Sequence, residues 1–87
     1  LKDLAYLKKA EQVLIIDNIE KQLTWEPLTE TKNRKPLRPN DLGKWELRIQ
    51  NYRAFYDIDS KGGIVKIKAV GWKKHNVLFI RNREFML

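Results

Sequence analysis

Three short runs of alternating apolar and polar residues between Trp45 and Ala69 constrain the fold of this chain more than any other feature. Alternation with a period of two places one set of side chains on each face of a β-strand. The apolar sets are Trp45, Leu47 and Ile49, then Tyr52, Ala54, Tyr56 and Ile58, then Val65, Ile67 and Ala69. A tight turn at Gln50 and Asn51, where Asn tolerates positive φ, and a second turn at 59–63 make these three strands antiparallel.

The polar residues of the same runs are mostly cations. Arg48 and Arg53 fall on the polar face of the first two strands, where Glu46 is the chief acid. Gly71 is expected to end the third strand, and 72–76 then forms a cationic turn. The sequence predicts that positive side chains from these segments converge on one concave surface, namely Arg48, Arg53, Lys73, Lys74 and His75.

Apolar residues between Leu4 and Leu23 recur at helical spacing instead. The phase of this pattern slips at 9–12, which indicates either one bent helix or two short helices, and a helical hairpin that breaks there is favoured. Their apolar stripe is expected to pack on the sheet; the alternative is a surface that binds a partner. The run 77–80 suits either a fourth strand or a short helix. The predicted fold class is α+β, a helical hairpin on one face of a small twisted antiparallel sheet of three to four strands, in a single domain spanning 1–87 with one thin core.

The segment 26–44 is predicted to be irregular. Pro27 is expected to end the helical region, and the prolines at 36 and 39 disfavour both helix and regular strand. A loop of this length is uncommon unless it has a function. Leu37 is expected to anchor the loop from beneath, while a run of cations faces outward, namely Lys32, Arg34, Lys35 and Arg38.

Charge and composition narrow the class of function. The 87 residues carry a formal net charge of +7, which predicts attraction to phosphate backbones or to an acidic protein, or simply a solvated basic surface. The chain has no Cys and a single His, which excludes disulfides, Cys-based zinc sites and a His-based metal cluster. No apolar run approaches the roughly 20 residues of a membrane span, and no signal peptide is visible. A cytoplasmic protein is expected. Because Leu1 is not Met, the natural chain is expected to begin earlier.

A convergent cluster of cations suits RNA cleavage without a metal or cofactor. In that reaction a ribose 2'-hydroxyl attacks its own phosphodiester, and the protein moves two protons and stabilises negative charge. Arg binds phosphate through two hydrogen bonds, and His75 is the simplest proton carrier near neutral pH, with Glu46 as a weaker base. The alternatives are structural: His75 as a solvated turn residue, Arg48 and Arg53 paired with acids across strands, and Trp72 as a cap on the core instead of a stacking partner for a base.

Four segments, RKPLRPN, WELRI, YRAFYDID and VGWKKHN, together resemble the RelE/ParE superfamily of bacterial toxins from type II toxin–antitoxin systems. The branches most similar are RelE and YoeB, which cut messenger RNA. The resemblance implies a helical hairpin on a twisted antiparallel sheet. It also implies a first strand ahead of the helices, which has no counterpart here because Leu1 already stands where the first helix of the family begins.

The resemblance further implies ribosome-dependent cleavage of messenger RNA, control by a cognate antitoxin, and binding of operator DNA through the antitoxin complex. The implied catalytic residues are Arg53, Arg48, Lys73 and His75, with Glu46 as a possible base where relatives carry Lys. The implied RNA-binding residues are Lys35, Arg38, Lys74, Trp72 and Phe79. Because Phe79 replaces a Tyr that many relatives carry, it lacks a hydroxyl for proton transfer. The alternative is a toxin relative without catalysis, either a ParE-like gyrase inhibitor or a co-repressor that binds its antitoxin.

Overall fold

The described part of the chain folds as one α-helix packed against a six-stranded antiparallel sheet. The structure is a computed structural model, and it describes residues 2–23, 31–59 and 63–85. A 3₁₀ helix, Lys2–Tyr6, precedes the α-helix α1, Lys9–Leu23. The strands are β1 Arg34–Pro36, β2 Trp45–Ile49, β3 Tyr52–Ile58, β4 Val65–Lys74, β5 Val77–Ile80 and β6 Arg83–Phe85. Each strand pairs with the next along the chain, so the spatial order equals the sequence order.

The predicted helical hairpin is wrong, because the described residues contain a single α-helix. Leu7 and Lys8 separate the 3₁₀ helix from α1. The backbone N–H of Lys8 donates to Glu11 Oε1 at 2.9 Å, and this hydrogen bond caps the N-terminus of α1. Gln12 Nε2 donates to the carbonyl oxygen of Leu7 at 3.0 Å. The segment before α1 is too short to nucleate an α-helix and forms a 3₁₀ turn. Pro27, which was expected to end the helical region, lies outside the described residues. Neither described helix has the length and hydropathy to cross a membrane.

The sheet has more strands than the three to four predicted. β1 lies inside the segment expected to be irregular, because the outer edge of β2 offers backbone groups that Arg34–Pro36 can pair with. The run 77–80 is a strand, which settles the choice left open by its pattern. β6 follows a two-residue turn at Arg81 and Asn82, with φ values of 50° and 64°. Three-residue strands such as β1 and β6 are too short to show a pattern of their own.

The third predicted strand does not end at Gly71. β4 continues to Lys74, and the turn consists of His75 and Asn76, whose φ values of 52° and 65° match a type I′ hairpin. Gly71 lies within the strand, at a position that requires glycine because a Cβ there would overlap the carbonyl oxygen of Phe79. A glycine in a strand thus marks close approach of backbones and does not mark a strand end.

Two further local predictions need correction. In the first hairpin the positive φ of 54° belongs to Gln50 and not to Asn51. Where β3 pairs with β4, the register shifts between Phe55 and Tyr56 of β3, so Ala69 stands opposite Phe55 and faces away from Ile67. This bulge inserts one residue into β4 and reverses the alternation that the sequence showed up to that point.

The core has two parts instead of the single part expected. The main cluster lies between α1 and the sheet, and its buried members are Ile15, Leu23, Leu47, Ile49, Ala54, Tyr56 and Val70. A second cluster lies on the opposite face of the sheet and consists of Leu42, Phe55, Ala69, Leu78 and Ile80. Leu37 packs against this second cluster, which confirms it as the anchor of its loop. The loop therefore covers part of the face opposite α1 and leaves the rest open.

Candidate functional site

The charged residues of the first hairpin lie on the face opposite α1. Leu47 and Ile49 of β2 are buried in the main core, so strand alternation turns Glu46 and Arg48 to the other face. Arg53 of β3 stands directly opposite Arg48 in the antiparallel pair and shares that face. The hairpin by itself therefore brings two guanidinium groups and a carboxylate together.

The neighbouring strands add two ammonium groups to this hairpin. Lys35 of β1 stands opposite Glu46, and Lys73 of β4 lines the same pockets as Lys35 and Glu46. We call this set the cationic groove, and its members are Lys35, Glu46, Arg48, Arg53 and Lys73. The residues predicted from sequence for catalysis thus meet in part, since Arg48, Arg53 and Lys73 lie together around the predicted base.

The cationic groove consists of two adjoining pockets. The inner pocket has a volume of about 210 Å³ and is lined by Lys32, Asn33, Arg34, Lys35, Glu46, Arg48, Arg53 and Lys73. The outer pocket has a volume of about 410 Å³ and is lined by Lys35, Pro36, Leu37, Arg38, Pro39, Asn40, Glu46 and Lys73. Lys35, Glu46 and Lys73 line both, so the two pockets are neighbouring compartments of one depression.

Arg53 is held rigidly in the inner pocket. Its side chain is largely buried, and Nη1 donates to the carbonyl oxygens of Gln50 at 2.9 Å and Tyr52 at 2.8 Å. Burial lowers the pKa of the Arg53 guanidinium from its ordinary value; the carboxylate of Glu46 opposes that shift and the nearby Arg48 adds to it. Because Arg remains charged in proteins, Arg53 is a buried cation, and the carboxylate of Glu46 neutralises its charge only in part.

Glu46 lies at the boundary of the two pockets and is 5% exposed. Its carboxylate oxygens lie 3.7 Å from Lys35 Nζ and 3.9 Å from Arg53 Nε. Both distances exceed a normal hydrogen bond, so attraction between charges holds the carboxylate in place. Among the described residues that line the two pockets, Glu46 is the single carboxylate.

Positive charge therefore exceeds negative charge in the groove. Arg48 and Arg53 face each other across two strands, and like charges in that position repel each other. Arg48 is exposed while Arg53 is buried, so a bound anion would contact both guanidinium groups from the solvent side. A phosphodiester carries one negative charge and accepts paired hydrogen bonds from guanidinium groups, which makes it a suitable ligand.

Four residues predicted to contact RNA do not line the cationic groove. Trp72 stands opposite Tyr52, which packs against the main core on the α1 side of the sheet. Lys74 lies two residues further along β4 and therefore faces the same side as Trp72. Trp72 stacks on Phe79 with ring centroids 5.9 Å apart. Lys74 and Trp72 line a third pocket of about 450 Å³ together with residues of the helical side, among them Leu7 and Glu11, and Lys73 also lines this pocket. His75 occupies the exposed turn after β4.

The prediction that all four cations of the basic run face outward is wrong for Arg34, which is buried, and Lys32 has a place in the inner pocket that was not predicted from the sequence. Lys32 lines the inner pocket from the turn before β1. Arg34 lines it too, yet its Nη1 donates to the carbonyl oxygen of Gln22 at 2.9 Å, so the side chain ties β1 to the end of α1. The place of Lys32 could have been inferred from its membership of the basic run. Side chains of β1 alternate between the two faces of the sheet, so Arg34 points toward the α1 side because Lys35 points into the groove.

No protein family, curated protein or solved structure matches this chain. Within the described ranges, no group of three or more His, Asp or Glu side chains is arranged to hold a metal ion. Two features of the chain therefore point to a function, namely the cationic groove and the segments RKPLRPN, WELRI, YRAFYDID and VGWKKHN.

Proposed function

We propose that this chain is the toxin of a type II toxin–antitoxin system, a RelE-like endoribonuclease that cleaves messenger RNA on the ribosome. The observation that carries the proposal is the assembly of Lys35, Arg48, Arg53 and Lys73 around Glu46 in one groove. The resemblance of the four segments to the RelE and YoeB branches supplies the substrate. The ribosome as its site of action places the protein in the cytoplasm.

The groove offers a group for each part of the reaction. Glu46 accepts the proton of the ribose 2'-hydroxyl as its oxygen bonds to phosphorus. Arg48 and Arg53 stabilise the negative charge on the phosphorane oxygens, which is the largest contribution expected of fixed donors. The bond from phosphorus to the 5'-oxygen then breaks, and the ammonium group of Lys73 gives that oxygen a proton. The products are a 2',3'-cyclic phosphate and a 5'-hydroxyl, and the protein itself supplies all the positive charge.

The position of His75 shapes this mechanism. It lies in the turn beyond the groove, so the proton carriers of the proposal are Glu46 and Lys73. The proposed partners are the ribosome with its messenger RNA, and a cognate antitoxin that neutralises the groove and carries the complex to operator DNA.

The test is to express the chain in bacteria and to map messenger RNA ends on stalled ribosomes. We expect cleavage within translated codons and arrested growth. Arg53→Ala should lower the cleavage rate by about 10²- to 10³-fold, the loss typical of removing one donor to a developing oxyanion. Lys9→Ala is the matched control, because it also removes one positive charge but from the exposed side of α1. Intact messages with normal growth would refute the nuclease.

A second function is favoured by the placement of Phe79 and His75. Phe79 packs on Trp72 away from the groove and His75 lies outside it, so two positions used for chemistry in the family are not in the site. The alternative is therefore a polyanion-binding relative without catalysis, either a gyrase inhibitor or a co-repressor. Gyrase supercoiling assays test the first form. Growth arrest that survives Glu46→Gln with no message cleavage would favour the alternative over the nuclease.

A further inference from the structure

The outer pocket differs in chemistry from the inner one. Guanidinium and ammonium groups dominate the inner pocket, whereas Pro36, Leu37 and Pro39 form an apolar wall of the outer pocket. Arg38 stands on the same wall and is exposed. An apolar wall is poorly suited to a second phosphate, because a phosphate needs donors on several sides.

The wall is a fixed surface. Asn40 Oδ1 accepts from the backbone N–H groups of Leu42 at 2.7 Å and Gly43 at 3.1 Å. Asn40 Nδ2 donates to the carbonyl oxygens of Arg38 at 2.7 Å and Gly43 at 2.9 Å. Leu37 and Leu42 pack into the second core cluster beneath the loop. The shape of the outer pocket is therefore set before any ligand binds, which reduces the entropy cost of binding.

A nucleobase matches these features. Proteins that read single-stranded RNA hold unstacked bases against apolar or guanidinium surfaces and form hydrogen bonds with their edges. Here the proline rings and Arg38 offer the surfaces, Lys35 and Lys73 offer donors, and Glu46 offers an acceptor. A volume of about 410 Å³ accommodates a purine or a pyrimidine with its ribose.

We infer that the outer pocket binds the base of the nucleotide next to the phosphate held by Arg48 and Arg53. The inference rests on the proposed function, since it takes the ligand of the inner pocket to be an RNA phosphodiester. Because Lys35, Glu46 and Lys73 line both pockets, a base and its neighbouring phosphate reach them together. The loop that forms the wall then determines which bases are preferred at the cleavage site.

The experiment compares two sets of trinucleotides made with 2'-deoxyribose, which cannot be cleaved by this reaction. One set carries each of the four bases at the central position, and the other carries an abasic sugar there. Affinities for the full chain are measured by fluorescence anisotropy at one fixed salt concentration. We expect at least one base to bind about fivefold or more tightly than the abasic ligand, a factor equal to about 1 kcal/mol.

Arg38→Ala should reduce that ratio toward one, while Lys9→Ala should leave it unchanged. The ratio separates base recognition from the general loss of attraction that removal of any cation causes. A base-to-abasic ratio near one in the natural chain would overturn the base pocket, even with messenger RNA cleaved on ribosomes. A clear ratio that responds to Arg38→Ala, together with uncut messages, would instead refute the nuclease and support the pocket. A clear ratio that Arg38→Ala leaves unaltered would overturn the role of the wall.

Discussion

The salt dependence of RNA binding tests the charge balance of the groove most directly. The five residues that define the groove are four cations and one carboxylate, so single-stranded RNA that contacts these five residues alone meets a net of about three positive charges. Each neutralised phosphate releases condensed counterions, which makes the logarithm of affinity fall by about 0.7 per logarithm of salt for a single strand. The expected slope is therefore about −2.1, and raising salt from about 50 mM to about 200 mM should weaken binding about 18-fold.

Substitutions of opposite charge should move this slope in opposite directions. Arg48→Ala leaves a net of about two charges and should reduce the loss over the same salt range to about sevenfold. Glu46→Gln removes the opposing carboxylate and should increase the loss to about 50-fold. Lys9→Ala, on the exposed side of α1, should keep the slope of the natural chain.

The assay is anisotropy of a labelled RNA of about ten nucleotides at several salt concentrations, with circular dichroism to verify the fold of each variant. The two-way response distinguishes a groove from scattered surface charge. Equal slopes for Arg48→Ala, Glu46→Gln and the natural chain would show that RNA binds elsewhere. A flat salt profile for the natural chain would remove the electrostatic argument altogether.

Three further predictions concern the scaffold that holds the groove. The hydrogen bond to Glu11 raises the pKa of Tyr52 to about 12 from 10.0, so its stabilising contribution is complete below pH 10.0 and is lost as pH rises toward 12. Tyr52→Phe should make the alkaline fall in melting temperature smaller, and the part that remains belongs to Tyr56, whose pKa burial raises to about 12 as well. Gly71→Ala should lower the free energy of unfolding by at least about 2 kcal/mol in urea titrations, because its Cβ would overlap the backbone of Phe79. Ile15→Ala should cost about 2–5 kcal/mol in the same assay, because Ile15 is 0% exposed in the main core.

Each of these predictions has a control of the same chemistry. Tyr6→Phe removes a hydroxyl from a residue that is 51% exposed and should leave the alkaline limb unchanged. Gly63→Ala meets no atom within 4 Å and should cost only the strain of its φ of 65°, about 1–2 kcal/mol. Val13→Ala removes a side chain that is 60% exposed and should change stability by less than about 0.5 kcal/mol. Tyr52→Phe or Ile15→Ala that behaves like its control would show that the contact assigned to it contributes nothing, and a Gly71→Ala variant as stable as the natural chain would show the same for Gly71.

The pairing of Arg48 with Arg53 was predictable because it follows from local rules. Alternation assigns each residue to a face, and a two-residue turn sets the register, so neither step needs distant contacts. The same rules failed for Lys74 and His75. The predicted strand ends at Gly71 and the predicted cationic turn spans 72–76, whereas β4 continues to Lys74, so Lys73 and Lys74 lie on opposite faces of the sheet.

The sequence by itself determined the α+β class, the first hairpin with its opposed apolar and charged faces, and the excess of positive charge. These properties depend on the spacing of residues that are close along the chain. The tertiary structure decided which cations share a pocket. β1 brings Lys35 to Glu46 from a segment with no strand pattern. A bulge in β4 turns Ala69 toward the second core cluster, and the loop anchored by Leu37 covers part of that face and leaves the groove beside it. Such placements depend on pairing and packing between segments that are distant along the chain, so the spacing of residues in the sequence does not predict them.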